Sequence, residues 1–260
     1  MANKGIPMKN KKLVLLLPAL FLAFGNLHAQ DDEMPERYTY ATYMYCDTSK
    51  EAAADAHVKD KEAAVMNKLV ADGEILAWGW LRHHTGGKWR RIRYLQSDSL
   101  NGAVGAIGKM GKALEDALGD GAGGVGEACK GHEDYVWRLR AGMAGVERGK
   151  AGLSVYFTCK ISEEGHADDI VAKHFAPIYD KLVKEGKITS WGWQSHVLGG
   201  SIRRLFTMTG KDFDGVLDAR AEALGAMSDD EYGPGATFSE ICGKHEDYLW
   251  DIVHEKQAGS

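Results

Sequence analysis

Four histidines occupy matching places in two stretches of this chain. His83 and His196 lie just past paired tryptophans, and His132 and His245 lie two residues before Asp134 and Asp247. Imidazole titrates near neutrality, so each is a candidate general base, proton donor or ligand; the structural alternative is a solvated turn residue or a ring bound to a carboxylate. The tryptophans, Trp78-Gly79-Trp80 and Trp191-Gly192-Trp193, put two indoles on one strand face, where they line a ligand pocket or fill a core. Gly79 and Gly192 leave the opposite face bare, which suits a close backbone approach or a ligand. Arg91 and Arg204, each preceded by a second arginine (Arg90, Arg203), are candidates for binding an acidic ligand group or for an internal ion pair with Glu133 and Glu246. In a strand, His132 and Asp134 face one way and Glu133 and Tyr135 the other, and three strand spacings, about 14 Å, separate His132 from His83. No glycine-rich phosphate turn, nucleophile elbow or HExxH helix is present, and no metal is predicted.

These residues recur because the chain is duplicated. A shift of 113 residues carries Tyr43 onto Tyr156, Cys46 onto Cys159, Gly73 onto Gly186, Gly86-Gly87 onto Gly199-Gly200, Cys129 onto Cys242 and His132-Glu133-Asp134-Tyr135 onto His245-Glu246-Asp247-Tyr248 without a gap. About a third of the aligned positions are identical, and the period exceeds the roughly 20 to 50 residues of solenoid repeats, so whole domains are duplicated. The repeats run over 38–140 and 153–255, with 141–152 joining them.

Each repeat reads as β-α-β-β-α-β. The first strand, 38–46 or 153–159, alternates, with Leu153, Val155 and Phe157 on one side. Thr48 with Glu51 predicts a capping box for the first helix, and Ala167, Val171, Phe175, Ile178 and Leu182 share a face of its counterpart. Gly73 and Gly186 end these helices, and the paired glycines turn a hairpin. A second helix and a looser glycine-bearing segment lead to the last strand.

Two interleaved right-handed crossovers give a sheet in the order 4-1-3-2 with both helices on one face. The end of strand one then meets the start of strand four, which sets Cys46 beside Cys129 and Cys159 beside Cys242, both 83 residues apart. Four cysteines allow three pairings, and the within-repeat pairing alone respects both the repeat and this topology. Two disulfides are expected, each worth roughly 4 kcal/mol of loop entropy. Zinc held by a cysteine and His132 or His245 is the alternative, but the closely spaced ligand pairs of such sites are missing.

Residues 1–29 read as a secretory signal: four lysines, an apolar run from Leu13 to Phe24 too short to span a bilayer, and a cleavage region ending at Ala29. The mature chain is expected to begin near Gln30 with a flexible tail at 30–37, in a periplasmic or secreted location with no membrane association. The formal net charge of −5 becomes more negative once the signal's lysines are gone. An acidic chain with one dense basic cluster, Lys88 to Arg93, is a poor nucleic-acid binder. With 44% hydrophobic residues and seven Trp it can bury a sizeable core.

Helices cover one face of each sheet, and the other must be covered too. Two βαββαβ copies in one chain resemble the dimeric α/β-barrel superfamily in tandem form: an α+β protein whose two ferredoxin-like halves lay sheet against sheet in one pseudo-dimeric barrel. The resemblance covers nearly all of the mature chain and rests on element order and duplication, so no residue role follows from it. It implies a cleft between sheet and helices for an apolar or aromatic molecule. The superfamily's activities range over cofactor-independent monooxygenases, haem-binding and haem-degrading proteins and muconolactone-type isomerases, and fold alone does not choose among them. The expectation is therefore an exported protein binding a small apolar or aromatic molecule in each half, in a cavity beside Trp78 and Trp80 and beside Trp191 and Trp193. It would act as an oxygenase or isomerase without a cofactor. A non-catalytic structural or interaction module and a haem protein with a histidine ligand are the alternatives.

Overall fold

The computed structural model describes residues 1–2, 34–228 and 233–259. All but the first two residues of the expected signal lie outside these. Along β1 (Tyr38–Tyr45), Ala41 and Tyr43 enter one hydrophobic cluster and Met44 another, as the two-residue period of a strand requires. A helix follows in three consecutive parts: α1 (Glu51–His57), a wide π-helical turn (Val58–Glu62) and α2 (Ala63–Ala71). Then come β2 (Ala77–Thr85), β3 (Arg91–Ser97), α3 (Leu100–Leu118), the short α4 (Gly124–Ala128) and β4 (Gly131–Gly142). The same sequence of elements returns as β5 (Ala151–Thr158), α5 (Glu164–Ile170), a second π-helical turn (Val171–Phe175), α6 (Ala176–Lys184), β6 (Ser190–Leu198), β7 (Arg204–Gly210), α7 (Phe213–Met227), α8 (Pro234–Cys242) and β8 (Lys244–Gln257).

All strand pairs are antiparallel, in the order β4-β1-β3-β2 in the first half and β8-β5-β7-β6 in the second. The halves do more than stack face to face. β2 pairs with β8 and β4 with β6, closing eight strands into one barrel. Closure satisfies the edge N–H and C=O groups that two open sheets would leave exposed. The hairpin tips reinforce it: Gly86 (φ 128°) and Gly199 (φ 123°) lie so close to the other half's last strand that a Cβ there would meet the carbonyl oxygens of Asp247 at 2.6 Å and Asp134 at 2.5 Å.

Both expected disulfides are present, Cys46–Cys129 and Cys159–Cys242, with Cα atoms 3.9 and 4.2 Å apart. They fit an oxidising compartment. The predicted capping box is not formed: no side chain caps α1 at Lys50, because Glu51 is engaged by Arg90 and Arg91.

Three clusters make up the core, one between each half's strands and helices and one inside the barrel. The barrel interior holds Tyr43, Tyr135, Tyr156, Tyr248, Trp89, Trp137 and Trp250, with the Tyr43 and Tyr156 rings 5.5 Å apart edge to face. An eight-stranded barrel is just wide enough for its side chains, and the void left here is about 50 Å³. That is far below the few hundred Å³ of a ligand pocket. The lumen is core.

Candidate functional site

The residues shared by the two halves build one structural network twice. Arg91 donates from Nε and Nη2 to the two carboxylate oxygens of Asp55 at 2.7 Å each, and Arg204 does the same to Asp168 at 2.7 and 2.9 Å. The same carboxylates accept the indole N–H of Trp80 at 2.8 Å and of Trp193 at 2.7 Å. Arg90 pairs with Glu51 and Arg203 with Glu164, both at 2.6 Å, and each of these arginines donates from Nη1 to a histidine Nδ1: His83 at 2.8 Å, His196 at 2.9 Å. The network ties the hairpin of each half to its first helix. Arg91 and Arg204 are thus engaged by Asp55 and Asp168 rather than by Glu133 and Glu246, because both carboxylates sit on the helix that covers the strand face from which the arginines project. Trp78 and Trp191 are likewise held by helix acceptors, Asn67 at 2.9 Å and Asp180 at 2.8 Å. The bare face at Gly79 is taken by the ring of Tyr94, not left for a ligand.

His83 and His196 therefore accept at Nδ1 and carry their proton on Nε2. Burial first, then the adjacent Arg90 or Arg203 charge, pushes both below the ordinary histidine pKa of 6.5. Burial opposes ionisation of Glu51 and Glu164, yet the arginine hydrogen bonds and charges hold both carboxyls below their usual range. For the histidines the unfolded chain binds the extra proton, so stability falls as pH drops below about 6.5 and levels off below the folded value. For the glutamates, stability present above about 4.5 is lost as pH falls through their depressed values. The urea midpoint is expected to be lower at pH 5.5 than at pH 7.5, and His83→Gln with His196→Gln to flatten that difference.

The strand pairing keeps His83 apart from His132, as strand spacing predicts, and sets it against the other half. The His83 ring meets Tyr248 and Trp250 edge-on with centroids 6.3 and 6.0 Å apart, and His196 meets Tyr135 and Trp137 at 6.0 and 6.1 Å. His132 faces Asp134 across 3.3 Å through Nε2, whereas His245 bonds Asp247 through Nδ1 at 2.7 Å.

What sets the halves apart is the space beneath the helices. In the second half a cavity of about 460 Å³ opens between β5–β8 and α6–α8, lined by Val155, Phe157, Val171, Phe175, Tyr179, Trp193, Phe206, Leu224 and Phe238 among others. Leu224, 51% exposed, stands at its mouth. The π-helical turn helps to form the wall. Residues four apart drift by about 40° per step on an ordinary helix, and the wider turn keeps Val171, Phe175 and Tyr179 all facing inward. In the first half the positions of Phe175 and Phe206 are held by Glu62 and Arg93, an ion pair 1% and 8% exposed, with the Arg93 guanidinium 5.3 Å over the Trp80 ring. His57 lies 3.3 Å from the other oxygen of Glu62. Of the cavities expected in each half, one is found beside Trp193, and beside Trp80 the matching positions are held by charged side chains.

Of the predicted site residues, Trp193 and His245 line this cavity. Phe175, Tyr179, Phe206, Arg220 and Phe238 complete it without having been singled out as site residues from the sequence. Its polar groups gather at one end, where Arg220 pairs with Asp247 and Asp247 orients His245. The lining does not fit haem. Among the described lining residues the one imidazole, His245, is 41% exposed and bound to Asp247 through Nδ1, and there is one cation, Arg220, for two propionates.

No protein-family description matches the chain, and no curated protein matches it in sequence. Solved structures match it in fold. A candidate monooxygenase from Lactobacillus acidophilus superposes with a TM-score of 0.58 over 86% of this chain and 97% of its own, at 6% identity. A second, from Fusobacterium nucleatum, gives 0.57 over 88% and 97% at 10% identity, and an anthrone oxidase-like protein gives 0.51 over 88% and 95% at 12% identity. These are dimeric α/β-barrel proteins, and this chain has that fold.

Proposed function

We propose that the protein is exported, and that it is a fused pseudo-dimer of ferredoxin-like repeats, over 38–140 and 153–255, which binds one small apolar or aromatic molecule per chain in its second half. The apolar cavity beside Trp193, set against the charged fill beside Trp80, carries this reading. Its volume of about 460 Å³ lies in the range of small-molecule sites, about 300 to 1,000 Å³. Export is supported by the signal-like residues 1–29 and by the two disulfides. The solved structures of the same fold described as monooxygenases and anthrone oxidase-like support an oxygenase reading. His245, its ring oriented by Asp247, is then the group placed to take a proton from the bound molecule.

The neutral fluorophore N-phenyl-1-naphthylamine tests the binding reading. Its fluorescence is expected to saturate at one equivalent per chain. Saturation at two equivalents overturns the one-sided site, and no saturable binding overturns the function.

A further inference from the structure

The cavity wall holds a hydroxyl that no described residue hydrogen-bonds. Tyr179 is 8% exposed, its ring stacked on Trp191 at 5.3 Å and tilted against Phe206 at 4.7 Å. Among the described residues none hydrogen-bonds its hydroxyl. A hydroxyl on a cavity wall with no protein partner keeps its donor available to an acceptor on a ligand. Arg220 lines the same cavity and is near enough for its charge to act on the phenol, opposing the upward push of burial. A guanidinium carries five N–H donors, and Arg220 uses Nη2 on Asp247. The corresponding positions in the first half, where the space is filled, are Met66 and Ile107. The unsatisfied hydroxyl and the guanidinium thus occur together in the half that has room for a ligand.

We propose that the cavity recognises an apolar or aromatic molecule ending in a carboxylate, whose oxygens accept hydrogen bonds from the Tyr179 hydroxyl and from free N–H groups of Arg220. The aromatic wall of Phe175, Phe206 and Phe238 takes the body of the molecule, and the carboxylate lies toward the polar end. This deepens the binding reading and rests on it.

Displacement of N-phenyl-1-naphthylamine separates the two. 1-Naphthoate and 1-acetylnaphthalene share ring and shape but differ in charge. The naphthoate is expected to displace the fluorophore at a concentration at least tenfold lower. Tyr179→Phe and Arg220→Gln should each weaken naphthoate at least fivefold more than they weaken acetylnaphthalene, and unchanged circular dichroism spectra show that both variants are folded. Equal or tighter binding of acetylnaphthalene by the unaltered protein overturns carboxylate recognition and leaves the binding reading standing. So does an undiminished preference in both variants. Failure of the fluorophore itself to bind overturns both.

Discussion

Phe175→Glu combined with Phe206→Arg is expected to abolish binding of N-phenyl-1-naphthylamine while the chain stays folded. The double substitution writes into the second half the pair that the first half already carries at the same places, Glu62 in the π-helical turn and Arg93 in β3. The receiving site is prepared for it: the Trp193 ring can underlie the new guanidinium as the Trp80 ring underlies Arg93. Either charge alone would be buried without its counter-ion, so the single changes should be worse than the double. A buried charge without its partner costs about 3–5 kcal/mol, while a complete buried pair is close to neutral against a well-packed apolar one. The measurements are a fluorescence titration and a urea midpoint for all three variants. Affinity lost by at least a hundredfold in the double variant, with a midpoint above that of Phe206→Arg alone, is the expected outcome. Undiminished binding in the folded double variant would place the ligand elsewhere.

The same comparison explains what could be read from residues alone. Positions identical in the two repeats, Trp80 and Trp193, His83 and His196, Arg91 and Arg204, and the four cysteines, revealed the duplication and, with an element order read from alternation and helical spacing and a strand order read from crossover handedness, gave both disulfides. They did so because they are the struts of the fold: every one ties a strand to a helix, to its neighbouring arginine or to another strand. The same identity drew attention to residues that both halves retain for support, since these were also the ones with the most conspicuous chemistry. The proposed site lies where the copies differ. Glu62 against Phe175 and Arg93 against Phe206 are visible as a matched exchange of opposite charges for two rings, and that exchange is the signal that would have found the cavity. Other features had no such signal. The π-helical turns, Val58–Glu62 and Val171–Phe175, interrupt helices whose residues read as continuous. Helix α8, which brings Phe238 to the cavity, begins with Pro234 in a segment whose glycines read as loop. The closure of the barrel through β2–β8 and β4–β6 is a pairing between distant edges that local alternation does not encode.

Asp168→Ala is expected to cost about 1–3 kcal/mol of stability, the range for buried donors left without their acceptor, since Arg204 keeps its ion pair with Glu164 at 3.0 Å. Its carboxylate is 13% exposed, and the Arg204 side chain it neutralises is 5% exposed, so water cannot replace what is lost. Two further donors lose their acceptor together, the indole N–H of Trp193 and the second arm of the Arg204 fork. Asp168→Asn should fall between, because an amide oxygen still accepts from the indole but no longer balances the guanidinium. Asp55→Ala removes the matching group beneath Arg91 and Trp80 and should cost a similar amount. The two differ in one respect that links the strut to the site. Trp193 lines the cavity, so freeing its ring should weaken N-phenyl-1-naphthylamine binding in Asp168→Ala at temperatures where the chain is still folded. Asp55→Ala, acting on the filled half, should leave affinity within about twofold, since sites without shared partners act nearly independently. A cost below about 1 kcal/mol for either substitution would rank the fork with exposed surface pairs and would mean that the duplicated network is not what holds the helices to the barrel.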